Sequence, residues 1–201
     1  VPGQLLLLAA GQGRRFGSDK RKARLPGGQS LLAATAQSYL RLSCPLAIVT
    51  RPEDRALQQA VSGELVAAGA PRQPRWLVAS DASMGMGHSL AQAVTALRDA
   101  APQWLIVGLG DMPFVTHETL AALVRTLNEG VPATIVRPRY QGQAGQPVGF
   151  GREHLEALTQ LHGDQGARAL LQARDDDVRW LDVPDPGVLA DVDQRADLPT
   201  A

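Results

Sequence analysis

The sequence predicts an α/β protein, a three-layer sandwich around a mainly parallel sheet, on three observations. Short, almost purely apolar runs recur along the chain, as strands covered on both faces do. Between them lie segments whose apolar residues follow helical spacing. Every glycine-rich or acidic motif of interest falls at the end of such an apolar run, the edge where sheets of this kind bind ligands.

The runs at 5–9, 46–50, 76–79 and 104–109 are read as the first four strands. Within 30–42, Leu31, Leu32, Ala34, Ala36 and Leu40 sit on helical spacings, and 53–68 and 88–100 behave similarly. Thr116 introduces a further helix whose buried stripe comes from Thr119-Leu-Ala-Ala-Leu-Val. In the last third, strands are expected at 133–137, 147–150 and 178–183 and helices at 153–161 and 166–173. Pro138 and Pro147 are read as marking edges or turns. No linker, repeat or low-complexity segment interrupts the chain, so residues 1–201 are expected to form one domain.

Composition narrows the function classes. Twenty Lys and Arg balance twenty Asp and Glu, which leaves no global field to attract nucleic acid or an anionic membrane. Cys44 is the only cysteine, so no intrachain disulfide framework is possible and a reducing cytoplasm is the expected compartment. Its place before a strand suits buried filler rather than a nucleophile. No apolar run approaches the roughly 20 residues of a membrane span, and no signal peptide is expected.

The richest segment is Leu5-Leu-Leu-Leu-Ala-Ala-Gly-Gln-Gly-Arg-Arg-Phe-Gly-Ser-Asp-Lys20, an apolar strand running into a glycine-rich basic loop. Gly11, Gly13 and Gly17 are expected to take positive φ and bring backbone close to a ligand, with Arg15 and Lys20 facing phosphate oxygens. The alternative is a plain surface turn. The basic cluster of Arg14, Arg15, Lys20, Arg21, Lys22 and Arg24 reads, in this setting, as a phosphate site rather than a solvated face. Two other phosphate loops fail on spacing. No Gly-Lys pair exists for the Walker pattern, and the third glycine comes one residue late for the dinucleotide fingerprint. The second strand also offers no carboxylate for a ribose until Glu53.

Gly110-Asp111-Met-Pro113 places an aspartate just past a strand, which suits a Mg²⁺ ligand; a helix cap or turn is the alternative. Asp191 and Asp193 would share a face if extended and suit a second metal contact, although Asp193 could equally cap a closing helix. Gly85-Met-Gly-His-Ser89-Leu is a flexible turn into a helix whose amides could take an anion or a base edge. His88 has no second histidine at metal-ligand spacing and is assigned no catalysis. The segment from Tyr140 to Phe150, followed by Gly163-Asp164-Gln-Gly166-Ala-Arg168, would suit an acceptor substrate, or else is a hairpin followed by a helix cap.

Taken together, these motifs resemble the MobA-like nucleotidyltransferases, most closely the molybdenum cofactor cytidylyltransferases, nearly end to end. The likeness rests on Leu8-Ala-Ala-Gly11-x-Gly-x-Arg15-x-Gly17-x-x-Lys20, Gly85-Met-Gly-His-Ser89-Leu, Gly110-Asp111-Met-Pro113, Gly145-x-Pro147-Val, Gly163-Asp-x-Gly-Ala-Arg168 and Leu189-x-Asp191-Val-Asp193. It implies a Rossmann-like sheet of the nucleotide-diphospho-sugar transferase type. It further implies that Leu8, Ala9, Ala10, Gly11, Gly13, Gly17 and Ser89 surround the nucleotide, with Arg15 and Lys20 on phosphates. Asp111 would bind Mg²⁺ with Asp193 or Asp191, while Gln146, Pro147, Asp164 and Arg168 would meet the acceptor. The chain departs from the family's pattern where Gln146 replaces histidine, Asp81 asparagine, and Gln194-Arg195 Thr-Pro.

The activity expected is transfer of CMP from CTP to the terminal phosphate of a molybdopterin-type cofactor, with release of pyrophosphate. Alternatives are GTP as donor, or another small phosphorylated acceptor such as a sugar phosphate or phospholactate. A non-catalytic protein that delivers cofactor to a molybdoenzyme or its chaperone is a third reading, and a nicotinamide oxidoreductase is disfavoured by the failed fingerprint.

Overall fold

The computed structural model describes residues 3–11 and 16–198, and its frame is one eight-stranded sheet. Strands β1 (Gly3–Leu8), β2 (Leu46–Thr50), β3 (Arg75–Val78) and β4 (Trp104–Leu109) form the parallel half, in the order β3-β2-β1-β4. The other half holds β5 (Ile135–Tyr140), β6 (Gln143–Ala144), β7 (Val148–Gly151) and β8 (Val178–Asp182). β7 runs antiparallel between β4 and β5, and β8 pairs in parallel with the other edge of β5. The sheet is thus mostly parallel, as expected, with an antiparallel insertion.

Among the described residues six α-helices cover it: α1 (Leu31–Leu40), α2 (Arg55–Ala67), α3 (Met86–Ala96), α4 (His117–Glu129), α5 (Leu155–Thr159) and α6 (Arg168–Ala173). Alternation along β1 explains the three layers, because successive side chains of a strand face opposite ways. Leu5 and Leu7 enter a core shared with Leu32 of α1, Leu57 of α2 and Leu120 of α4, while Leu6 enters a core with Leu90 of α3 and Leu158 of α5. Ser30 and Thr116 cap α1 and α4, their hydroxyls accepting from the Ala33 and Thr119 amides.

Two local expectations change. Pro138 lies inside β5, opposite Leu181, rather than at a turn; its carbonyl accepts from the Gly145 amide. The turn falls at Gln141 and Gly142, whose φ of 48° and 79° give the paired positive values a tight two-residue hairpin requires. Residues 140–144 are therefore a β5–β6 hairpin, one of the two readings open from the sequence.

The order β3-β2-β1-β4 reverses chain direction across the sheet between β1 and β4. A crevice opens at such a point, beyond the carboxyl ends of the strands. The Gly110 amide donates to the Leu8 carbonyl at 2.9 Å, so the segments leaving β1 and β4 start side by side. A side chain at Gly108 would run into the Tyr39 hydroxyl, which is why β4 narrows to glycine before its end.

The C-terminal segment is fastened by Asp185, which is 3% exposed. Its carboxylate accepts from the Thr116 amide and hydroxyl, the Thr119 hydroxyl and the Gly187 amide. Asp185→Asn turns one acceptor into a donor facing donors, so unfolding stability should fall by about 2 kcal/mol. Urea denaturation checks this, and a midpoint equal to wild type would contradict it.

Candidate functional site at the switch point

The crevice is a cleft of about 550 Å³. Leu8, Ala9, Ala10 and Gly11 from the end of β1, Ser89 and Met86 from α3, and Gly110 and Asp111 from the end of β4 line it, with Lys20, Asp164, Asp191 and Asp193. Most of the expected nucleotide and metal residues thus share one cavity. Gly13 and Arg15 lie outside the described residues, as do Gln12 and Arg14. Gly17 has φ +75° but is exposed and does not line the cleft. Gly11 differs from expectation: its backbone is not at positive φ, and a Cβ there would meet none of the described residues within 4 Å. Its smallness bears on what enters the cleft, not on the turn.

Lys20 is aimed by a short 3₁₀ turn, Lys20–Lys22, capped by the Asp19 side chain. Its ammonium sits 2.6 Å from Asp111 Oδ2 and 2.9 Å from Asp193 Oδ1. Burial works against the charge, but these two hydrogen bonds outweigh it and hold Lys20 above the ordinary lysine pKa. Asp193 arrives through the C-terminal segment, where the buried Val192 donates its amide to the Asp111 carbonyl. The cap once open to Asp193 belongs to Gln194, which forms a capping box with Asp197. Asp191 is more open to solvent. Desolvation first, then the charges of Asp193 and Asp111, raise its pKa.

The donors suit a hard cation. Asp111 Oδ1 is buried and accepts no hydrogen bond among the described residues, which leaves a carboxylate oxygen turned inward with its desolvation uncompensated. No three His, Cys, Asp or Glu side chains form a ready metal cage among the described residues. Mg²⁺ needs no such cage, since it usually takes one or two carboxylates and completes its octahedron with phosphates and water.

The basic cluster divides in a way the sequence did not indicate. Arg21, 4% exposed, turns inward and forms a salt bridge with Asp54, also bonding both Asp19 and the Ala9 carbonyl. Arg24 pairs with Glu64 of α2, whose second oxygen accepts the Ser30 amide. Both arginines are thus held by carboxylates; Arg21 nevertheless contributes to the wall of the cleft, and Arg24 does not. The signal available was Asp54, an acidic residue just past β2, the region searched for a ribose contact.

His88 is also a brace: its Nδ1 accepts the Gly163 amide, and the Gly87 amide donates to the Gly163 carbonyl. Glycine is required at 85, where φ is +114° and a Cβ would lie 2.5 Å from both Gly163 and Asp164. The two motifs, 85–90 and 163–168, therefore dock on one another. Cys44 is buried, and burial pushes its thiol pKa up, which suits filler.

A second cavity of about 740 Å³ shares Leu8, Met86, Leu109 and Asp164 with the first. Gln146 and Arg168 line it, as does Asp164, so three of the four expected acceptor residues meet there. Pro147, buried beneath, does not line it. Asp81 lines neither cavity and is bonded to Gln92.

A loop after β1 and an aspartate after β4 meet at a strand-order reversal, the place where α/β proteins of this kind bind their ligands. The chain matches the MobA-like NTP transferase domain over residues 5–178 and belongs to that family. It is a nucleotidyltransferase. The purine catabolism protein PucB of Bacillus subtilis is 31% identical, over 94% of this chain and 90% of that protein. The bifunctional enzyme IspD/IspF of Brucella anthropi is 33% identical over 65% of this chain, and the match spans 32% of that longer protein. The crystal structure of a homolog of Mycobacterium tuberculosis Rv0371c, from Mycobacterium sp. strain JC1, superposes with TM-score 0.80 at 28% identity, covering 98% of this chain and 92% of that one.

Proposed function

We propose that the chain transfers CMP from CTP to the terminal phosphate of a pterin-type cofactor and releases pyrophosphate, using Mg²⁺. The observation that carries this reading is the convergence of Lys20, Asp111 and Asp193 on the cleft beside the Leu8–Gly11 segment. The acceptor phosphate is already ionised near neutral pH, so its oxygen attacks the α-phosphorus without a strong base. The new P–O bond forms as the bond from the α-phosphorus to the β-phosphate oxygen breaks, and pyrophosphate carries away the electron pair. Asp111 and Asp193 would hold the metal. When bound, Mg²⁺ screens the repulsion between the two anions and stabilises charge on the leaving group. Lys20 turns from its carboxylates to the phosphates, and Arg15 joins it there. Ser89 and the first residues after β1 hold the nucleotide, and the acceptor lies against Gln146, Asp164 and Arg168.

This chemistry needs no nucleophile dyad, since alignment and charge stabilisation carry it. The test is pyrophosphate release from each of the four ribonucleoside triphosphates with Mg²⁺, with and without a phosphorylated pterin. Release that no pterin stimulates, but a sugar phosphate or phospholactate does, would keep the transferase and change the acceptor. The reading places the protein in the cytoplasm. No helix among the described residues is long and apolar enough to cross a membrane.

Base choice gives a sharper expectation. Ala10 is 4% exposed, packs with the α3-side core and also lines the cleft. Its methyl takes space at the cleft wall that a glycine would leave open, so a pyrimidine is accommodated more easily than a purine. Ala10→Gly should narrow the CTP preference without reversing it, because one methyl discriminates by only about 1–3 kcal/mol. The measurement is kcat/KM for CTP and GTP in both proteins. Wild-type preference for GTP would remove the cytidylyl assignment and keep the class.

A further inference from the structure

Arg137 stands out in the second cavity. It projects from β5 and is half-buried, and neither it nor Arg168 forms an ion pair among the described residues. It donates a 3.4 Å hydrogen bond from Nε to the Gly145 carbonyl and lies 5.7 Å from the centroid of the Trp180 ring. Burial, and then the charge of Arg168 nearby, work against its charged form. The neighbouring Arg139, in contrast, is matched by Asp182. Two carboxylates, Asp164 and Asp175, line the same cavity without pairing with either arginine. Trp180, 38% exposed, forms part of the wall. A guanidinium half-removed from water beside a second cation, with no carboxylate partner, is stabilised when an anion enters between them.

We propose that Arg137 and Arg168 form a two-guanidinium seat for the anionic group of the acceptor, with Trp180, whose ring already carries the guanidinia of Arg137 and Arg139, holding Arg137 in place. The proposal rests on reading the chain as a transferase to a phosphorylated acceptor, and it names the residues that select that acceptor. The two cavities share Leu8, Leu109, Met86 and Asp164 in their walls, so an acceptor seated here lies beside the nucleotide cleft. Arg137 is the specificity residue that sequence spacing did not disclose.

The test uses Arg137→Gln, Arg168→Gln and Trp180→Leu, each checked for an unchanged melting temperature. With a phosphorylated pterin as acceptor, each arginine variant should raise the acceptor KM by about 10- to 100-fold, the worth of a charge-assisted hydrogen bond, while the CTP KM stays at the wild-type value. Arg137→Lys should recover part of the loss. A second readout needs no turnover: titration with inorganic phosphate should change tryptophan fluorescence in wild type and much less in Arg137→Gln, with Trp180→Leu as the blank. If no pterin is turned over but phosphate still perturbs Trp180 through Arg137, the seat stands and the assigned acceptor falls. If transfer proceeds with an unchanged acceptor KM in both arginine variants, the seat is overturned while the transferase reading survives.

Discussion

Asp111→Asn is expected to lower kcat by about 100-fold or more while the protein stays folded. The carboxylate lies just past β4, and removing its charge takes away a metal contact, worth several kcal/mol of barrier. The fold should tolerate the change: Lys20 keeps Asp193 as a partner at 2.9 Å, and the backbone of residue 111 still accepts the Val192 amide. The diagnostic comparison is pyrophosphate release at saturating CTP and Mg²⁺, together with Mn²⁺ affinity measured by paramagnetic relaxation of water protons. Both should fall. A folded variant with wild-type turnover would remove Asp111 from the metal site, and an unchanged Mn²⁺ affinity with lost turnover would reassign it to holding Lys20.

The apolar runs read as strands were legible because they depend only on neighbours in sequence. The runs at 46–50 and 104–109 coincide with β2 and β4, and Ser30 and Thr116 mark the starts of α1 and α4. The positions of Asp111 and the Leu8–Gly11 segment followed from the same logic, since a strand end in a parallel sheet is already a statement about the binding edge. What stayed hidden depends on partners far away in the chain. Asp185 reaches Thr116 and Thr119 across 69 and 66 positions. Arg137 and Trp180 meet only because β5 and β8 pair in register, and neither lies in a motif that spacing can flag. Gly11 and Gly17 show the limit of reading glycine by type: one needs its positive φ and the other leaves space.

Arg21→Ala is expected to destabilise the fold by about 3–5 kcal/mol, the usual cost of leaving a buried charge without its partner. The sequence groups this residue with cations facing a phosphate; in the structure its guanidinium is held by carboxylates at the wall of the cleft. It points inward, bonds Asp54 at 2.8 Å, Asp19 at 2.8 Å and 2.9 Å, and the Ala9 carbonyl at 2.8 Å, tying the residues after β1 to the start of α2. Burial alone would raise the pKa of Asp54 and Asp19, but the hydrogen bonds from Arg21 overcome it and hold both below the ordinary aspartate range. Their contribution to stability is therefore complete above the ordinary aspartate range and fades as pH falls through the lowered values. Wild type should lose stability with a steep acid limb below about pH 4, and Arg21→Ala should be weaker at neutral pH with a flatter limb. Urea titrations from pH 7 downward measure both. Because Lys20 is the preceding residue, the variant should also weaken CTP use, whereas Arg21→Ala with native stability and a selective loss of CTP affinity would return Arg21 to the phosphate site.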